Sequence, residues 1–138
     1  MSDDYHLSLS LKLYELTVHP SWVTDILDVE PTSTRVIGEP MTIKGKNGAR
    51  INLLPSKFNS WIFRTNSIVN SNFFDHWELI YNKIKGKEEK FKLINMKSDQ
   101  PILSIDIWSH NHVPGIEIGP EILSIIARFG FRLDYDVV

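Results

Sequence analysis

The chain has 138 residues, of which 42% are hydrophobic, 23% charged and 11% aromatic; this excludes the disordered and fibrous classes and predicts one globular domain over residues 1–138. The absence of cysteine excludes a disulfide framework, thiolate catalysis, cysteine-ligated zinc and iron–sulfur clusters together. The formal net charge of −2 is a cancellation, with −4 in residues 1–36, +4 in 37–72, +2 in 73–98 and −4 in 99–138.

Met1-Ser2-Asp3-Asp4 is acidic where a signal peptide would be basic, and no stretch reaches 18 unbroken apolar residues, so a cytoplasmic setting without a membrane partner is expected. From His6 to Tyr14 the chain alternates strictly, with Leu7, Leu9, Leu11 and Leu13 on one face and polar groups on the other, the signature of a half-buried strand. Pro20 suits a first helical turn; Trp22, Val23, Ile26 and Leu27 follow at helical spacing until Pro31, which is expected to end the segment. Residues 32–70 are turn-rich. Within them Asn47-Gly48 is placed to turn a hairpin between Met41-Thr42-Ile43 and Arg50-Ile51-Asn52-Leu53, and Ser60 to Arg64 reads as a further strand.

Asn72 is placed to cap a second helix with the stripe Phe73, Trp77, Ile80, Tyr81 and Ile84. Gly86 interrupts it, and Lys87 to Asn95 is expected to resume as a turn or two. The basic run Lys83, Lys85, Lys87, Lys90, Lys92 and Lys97 is broken by Glu88 and Glu89, which favours a solvated face over a nucleic-acid site. Ile102 to Trp108 alternates again, with Leu103, Ile105 and Ile107 inward and Ser104, Asp106 and Trp108 outward. Pro120 and Glu121 open a third helix that Gly130 closes in the left-handed conformation. Phe131 to Val137 alternates once more, opposing Phe131, Leu133, Tyr135 and Val137 to Arg132, Asp134 and Asp136. Alternating strands with amphipathic helices predict an α+β fold: a mostly antiparallel twisted sheet with two to three helices packed on one face. Two strand–loop–helix segments with a proline at the helix start, at Pro20 and Pro120, suggest β-α units related to the ferredoxin-like arrangement, although two amphipathic helices also match in this way by chance.

The order Ile26-Leu27-Asp28-Val29-Glu30-Pro31-Thr32, Gly38, Trp61, and then Gly115 through Pro120-Glu121-Ile122-Leu123 to Phe129-Gly130-Phe131-Arg132-Leu133-Asp134-Tyr135-Asp136 resembles the bacterial family catalogued as domain of unknown function 4279. The likeness covers nearly the whole chain. It implies a stand-alone bacterial cytoplasmic protein and brings no activity, cofactor or catalytic residue with it. Asp134 and Asp136 match the family's acidic closing strand, whereas Ser109-His110-Asn111-His112 departs from the small, glycine-rich loop expected there.

Three groups of residues carry candidate chemistry. If the strand holding Asp106 continues, Asp106, His110 and His112 share a face and form a ligand set for zinc or non-haem iron; the alternative is a solvated loop, since Val113-Pro114-Gly115 follows. Asp134 and Asp136 share a face as an acid–base pair or, more simply, as a solubilising sheet edge. His76 reads as a surface or boundary residue and His19 as a cap or loop residue. None of the seven glycines forms a phosphate cradle or dinucleotide fingerprint, so no cofactor is expected. The outward sheet face gathers Lys12, Tyr14, Trp108, Arg132, Asp134 and Asp136, residue types that include those enriched at binding hot spots; Trp108 either stands on that face or is covered by residues 32–70. The favoured reading is a non-catalytic protein-binding module, immunity-type or adaptor, whose partner is a protein such as a toxin, or a second copy. Nucleic acid is disfavoured because the acidic residues on that face repel phosphate. The alternative is a metal-dependent enzyme using Asp106, His110 and His112.

Overall fold

The computed structural model describes residues 4–39, 55–109 and 113–137, and the backbone of 41–44 and 50–53. The principal sheet contains β1 (Tyr5–Leu16), β2 (Ser33–Arg35), β5 (Asn59–Arg64), β6 (Ile68–Val69), β7 (Ile102–Ser109) and β8 (Arg132–Val137). Its order is β2-β5-β1-β7-β8, with β6 pairing the start of β1. All pairs are antiparallel except β7 with β8. The expected hairpin is present as β3 (Met41–Lys44) and β4 (Arg50–Leu53); its turn at Asn47-Gly48 lies outside the described residues. Four helices are described, α1 (Pro20–Leu27), α2 (Phe73–Ile84), α3 (Glu88–Asn95) and α4 (Pro120–Phe129). The fold is therefore α+β with a mixed sheet.

Alternation in β1 becomes a buried row: Leu7, Leu9, Leu11 and Leu13 pack beneath the helices with Leu103, Ile105 and Ile107 of β7. The strand runs further than its alternation suggested. A bulge at Tyr14-Glu15 shifts the register between Leu13 and Leu16, Glu15 takes a left-handed φ of 53°, and Leu16 is thereby returned to the core. A bulge adds one residue to one strand, so it restores the inward phase after a polar pair.

Helix ends follow local chemistry. The His19 ring accepts the Ser21 N–H at the start of α1. That helix stops at Asp28, which adopts a left-handed φ of 56° and donates its N–H to the Thr24 carbonyl; Pro31 lies three residues beyond the stop and does not make it. Gly130 closes α4 at φ 75°, as expected of a residue without Cβ. Asn72 accepts the Asp75 N–H at 2.9 Å and caps α2. Asn72→Ala is expected to cost about 1 kcal/mol and Asn72→Gly only a few tenths, read as shifts in the urea midpoint.

Lys83, Lys85, Lys90, Lys92 and Lys97 are exposed, with Lys92 paired to Glu89 and Lys83 5.3 Å over the Phe63 ring, whereas Lys87 is half-buried and donates to the Leu27 carbonyl. His76 requires a correction. It is 1% exposed, because residues 73, 76, 77, 80 and 84 form one helical stripe turned to the sheet. Its Nδ1 lies 2.6 Å from Thr65 Oγ1 and its Nε2 lies 2.8 Å from Ser71 Oγ.

The closing strand also differs from expectation. Leu133, Tyr135 and Val137 share the helix-side face with Leu103, Ile105 and Ile107 by register, yet they are 36%, 48% and 45% exposed. The edge position of β8 explains this, since the helices cover the sheet's centre. No described helix is long and apolar enough to cross a membrane.

Candidate functional site

The open face of the sheet, opposite the helices, carries the side chains of alternate residues from four strands. Register sets Ser8 opposite Asp106, Ser10 opposite Ser104 and His6 opposite Trp108 across β1 and β7. It sets Arg64 of β5 opposite Ser10, and Asp136 and Asp134 of β8 opposite Asp106 and Ser104. Serines thus occupy the centre of the face and longer side chains surround them. Ser8, Ser10 and Ser104 are buried, although a polar row on an open sheet was expected to be exposed.

These serines connect charged groups. Arg64 Nε donates to Ser10 Oγ at 2.9 Å, and Ser10 Oγ donates to Asp106 Oδ2 at 2.9 Å. Ser104 Oγ donates to Asp106 Oδ1 at 2.8 Å. Arg64 Nε itself stands 3.9 Å from Asp106 Oδ2, so Ser10 relays the ion pair. Each Asp106 oxygen accepts a hydroxyl, which holds its carboxylate in one orientation on two central strands. The backbone of Arg64 is tied in turn to Thr32, whose Oγ1 accepts the Arg64 N–H at 2.8 Å.

Above this network lies a depression of 390 Å³ bounded by Lys12, Arg64, Asp106, Trp108 and Asp136, with His6 and Ser67 at its margin. Trp108 is 62% exposed, so the described residues between 32 and 70 do not cover it. A smaller hollow of 150 Å³ holds Tyr14 with Arg35, Ser56 and Phe58. Tyr14 and His6, the neighbour of Trp108, are eight residues apart on β1, or roughly 26 Å at strand rise. Tyr14 and Trp108 therefore serve separate hollows. Arg132 binds Asp134 through two hydrogen bonds of 3.0 and 3.1 Å at the sheet edge, away from Trp108, while Asp136 borders the larger hollow.

On the opposite side, a concavity of 470 Å³ is lined by Tyr5, Ser71, Asn72, Phe74, Ile116 and Glu117, among others. Its Ser71 and Asn72 side chains are already spent on the Ile68 carbonyl, on His76 and on the cap of α2, leaving little polar functionality to orient a ligand. His110 and His112, the two imidazoles of the expected metal set, lie outside the described residues. Among the described residues no group of three or more His, Asp or Glu side chains is arranged to hold a metal ion.

Arg64, the cation that anchors the network, was visible only as the end of a strand. The alternation Ser60, Ile62, Arg64 placed it on one face, but its pairing beside Ser10 depended on which strand neighbours β1.

A family model described as "Domain of unknown function (DUF4279)" matches residues 4–138. No curated protein and no solved structure matches the chain.

Proposed function

Since the chain belongs to the DUF4279 family, whose description assigns no activity, we propose from the open sheet face that it is a non-catalytic binding module. In this reading it works in the bacterial cytoplasm, as an immunity-type or adaptor protein that docks a partner protein, a toxin being one such partner. The carrying observation is Trp108, exposed at the rim of a hollow whose floor is already hydrogen-bonded. An exposed indole is a large apolar area beside fixed charges, the combination that forms energetic anchors at protein interfaces. The Arg64–Ser10–Asp106–Ser104 network lowers the ordering cost of docking because those groups are held before a partner arrives. Lys12 and Arg64 on one side and Asp106 and Asp136 on the other give a mixed charge pattern suited to a protein surface rather than to a phosphate backbone.

Trp108→Ala is expected to leave stability within about 0.5 kcal/mol, as exposed positions do, and to abolish partner capture. The measurement is affinity enrichment from native cells with wild type, Trp108→Ala, and Leu93→Ala, an exposed position on α3. A protein retained by wild type and Leu93→Ala but lost with Trp108→Ala supports the open face. Equal recovery of every protein by all three rejects it.

A further inference from the structure

β8 ends the sheet order, and its backbone shows which residues face away from the sheet. Arg132 donates its N–H to the Pro101 carbonyl at 2.8 Å, in parallel register with Ile102. In a strand, the N–H and C=O of one residue point the same way and successive residues alternate, so Arg132, Asp134 and Asp136 bond β7 while Leu133 and Tyr135 direct theirs at the outer edge, where no described strand pairs with them. The side chains of Leu133, Tyr135 and Val137 are also substantially exposed, alongside Leu123 of α4. An unpaired edge with an apolar row is a template for another strand.

From this edge we infer that the protein forms a two-fold dimer in which β8 pairs antiparallel with β8 of a second copy, centred on Asp134. Self-complementarity identifies the occupant. With the axis at Asp134, Leu133 of each copy meets Tyr135 of the other as a hydrogen-bonded pair, which uses the outward N–H and C=O groups of both residues. On the open face the same register places Arg132 opposite the other copy's Asp136, twice. Asp134 meets its own symmetry mate, but each is already held by two hydrogen bonds from Arg132. Moving the axis to Tyr135 would set Asp134 against Asp136, carboxylate to carboxylate. Moving it to Leu133 would put Asp136 opposite Gly130, the turn that closes α4. Charge and strand length therefore select one register.

The pairing joins two sheets into one, and because opposed residues share a face, both Trp108 hollows lie on the same side. That gives a bivalent surface, whose second contact is intramolecular once the first is made. The dimer does not depend on the partner reading above, and its test uses no partner.

Sedimentation of the full chain across a broad concentration range reads the association. Wild type is expected to move from monomer toward twice the monomer mass. Arg132→Asp and Asp136→Arg, each placing like charges together, are each expected to weaken dimerisation by tenfold or more, while the double swap R132D/D136R restores it to within a few-fold. Tyr135→Pro removes an outward N–H that takes no part in the β7–β8 ladder, so it is expected to be monomeric with an unchanged circular dichroism spectrum. A wild type that stays monomeric at all concentrations overturns the inference, as does a double swap no stronger than the single variants.

Discussion

Replacing Phe91 by alanine is expected to destabilise the protein by about 3–5 kcal/mol, the range for removing a buried aromatic side chain. Phe91 is 1% exposed and is the hub of a three-ring cluster. It meets Phe129 at 5.3 Å and Phe131 at 5.0 Å, both edge-on, while those two rings stack at 5.2 Å. The cluster joins α3 to the end of α4 and the start of β8. α3 has little else to hold it: it is eight residues long, its first residue has no side-chain cap, and its buried residues are Phe91 and Ile94. Helices that short are not stable by propensity, so packing maintains them. Against a total stability of about 5–15 kcal/mol, such a loss lowers the thermal midpoint by roughly 10 °C or more. Urea unfolding of Phe91→Ala beside Phe91→Leu measures it. A loss below about 1 kcal/mol for the alanine variant would mean that α3 contributes little to the cooperative unit.

The second large effect is a pH dependence centred on His76. Ser71 Oγ donates to the Ile68 carbonyl at 2.9 Å, so its contact with His76 Nε2 must be accepted from the ring; the neutral Nε2–H tautomer follows. Nδ1 then accepts from Thr65, whose oxygen also accepts the Leu9 N–H at 2.9 Å. Protonating Nδ1 would turn that acceptor into a donor and leave the Thr65 hydroxyl without its acceptor. Burial pushes the imidazole below its usual value of 6.5, and the neighbouring Asp75 carboxylate opposes this with a weaker upward pull. Below that value the unfolded chain binds a proton that the folded chain refuses. Stability is therefore full above the usual value and falls as pH drops beneath it, by about 1.4 kcal/mol per unit until the folded-state value is reached. His76→Gln keeps a donor and an acceptor but does not titrate. It is expected to cost about 1–3 kcal/mol at neutral pH and to flatten the slope. Urea midpoints at several pH values on either side of 6.5 check this, and parallel profiles for the two proteins would refute it.

His76 shows how residue type can mislead where position does not. Phe73, Trp77, Ile80 and Ile84 mark a helical stripe, and 76 falls on it by spacing. Histidine's usual place at a surface argued against burial, whereas the two hydroxyls that make burial tolerable come from Thr65 and Ser71, outside the helix. β2 and β6 escaped notice for a different reason. They have three and two residues, all exposed, so neither carries an alternation to detect; pairing with β5 and β1 makes them strands. The candidate site was partly legible. Trp108, Asp106, Ser104 and Ser10 share a face because side chains in a strand have period two, but Tyr14 and Trp108 do not share a hollow.

By itself the amino-acid sequence determined the types of the longer elements, the caps at Asn72 and Gly130 and which face of each long strand turns inward, because these depend on periodicity and on side chains within a few residues. Tertiary structure alone decided the neighbours. Asp106 meets a serine 96 positions away and Arg64 meets the same serine across 54, contacts set by strand order, which no local period encodes. The same order left β8 at an edge, so its inward pattern found only partial cover and its backbone, among the described residues, no second strand.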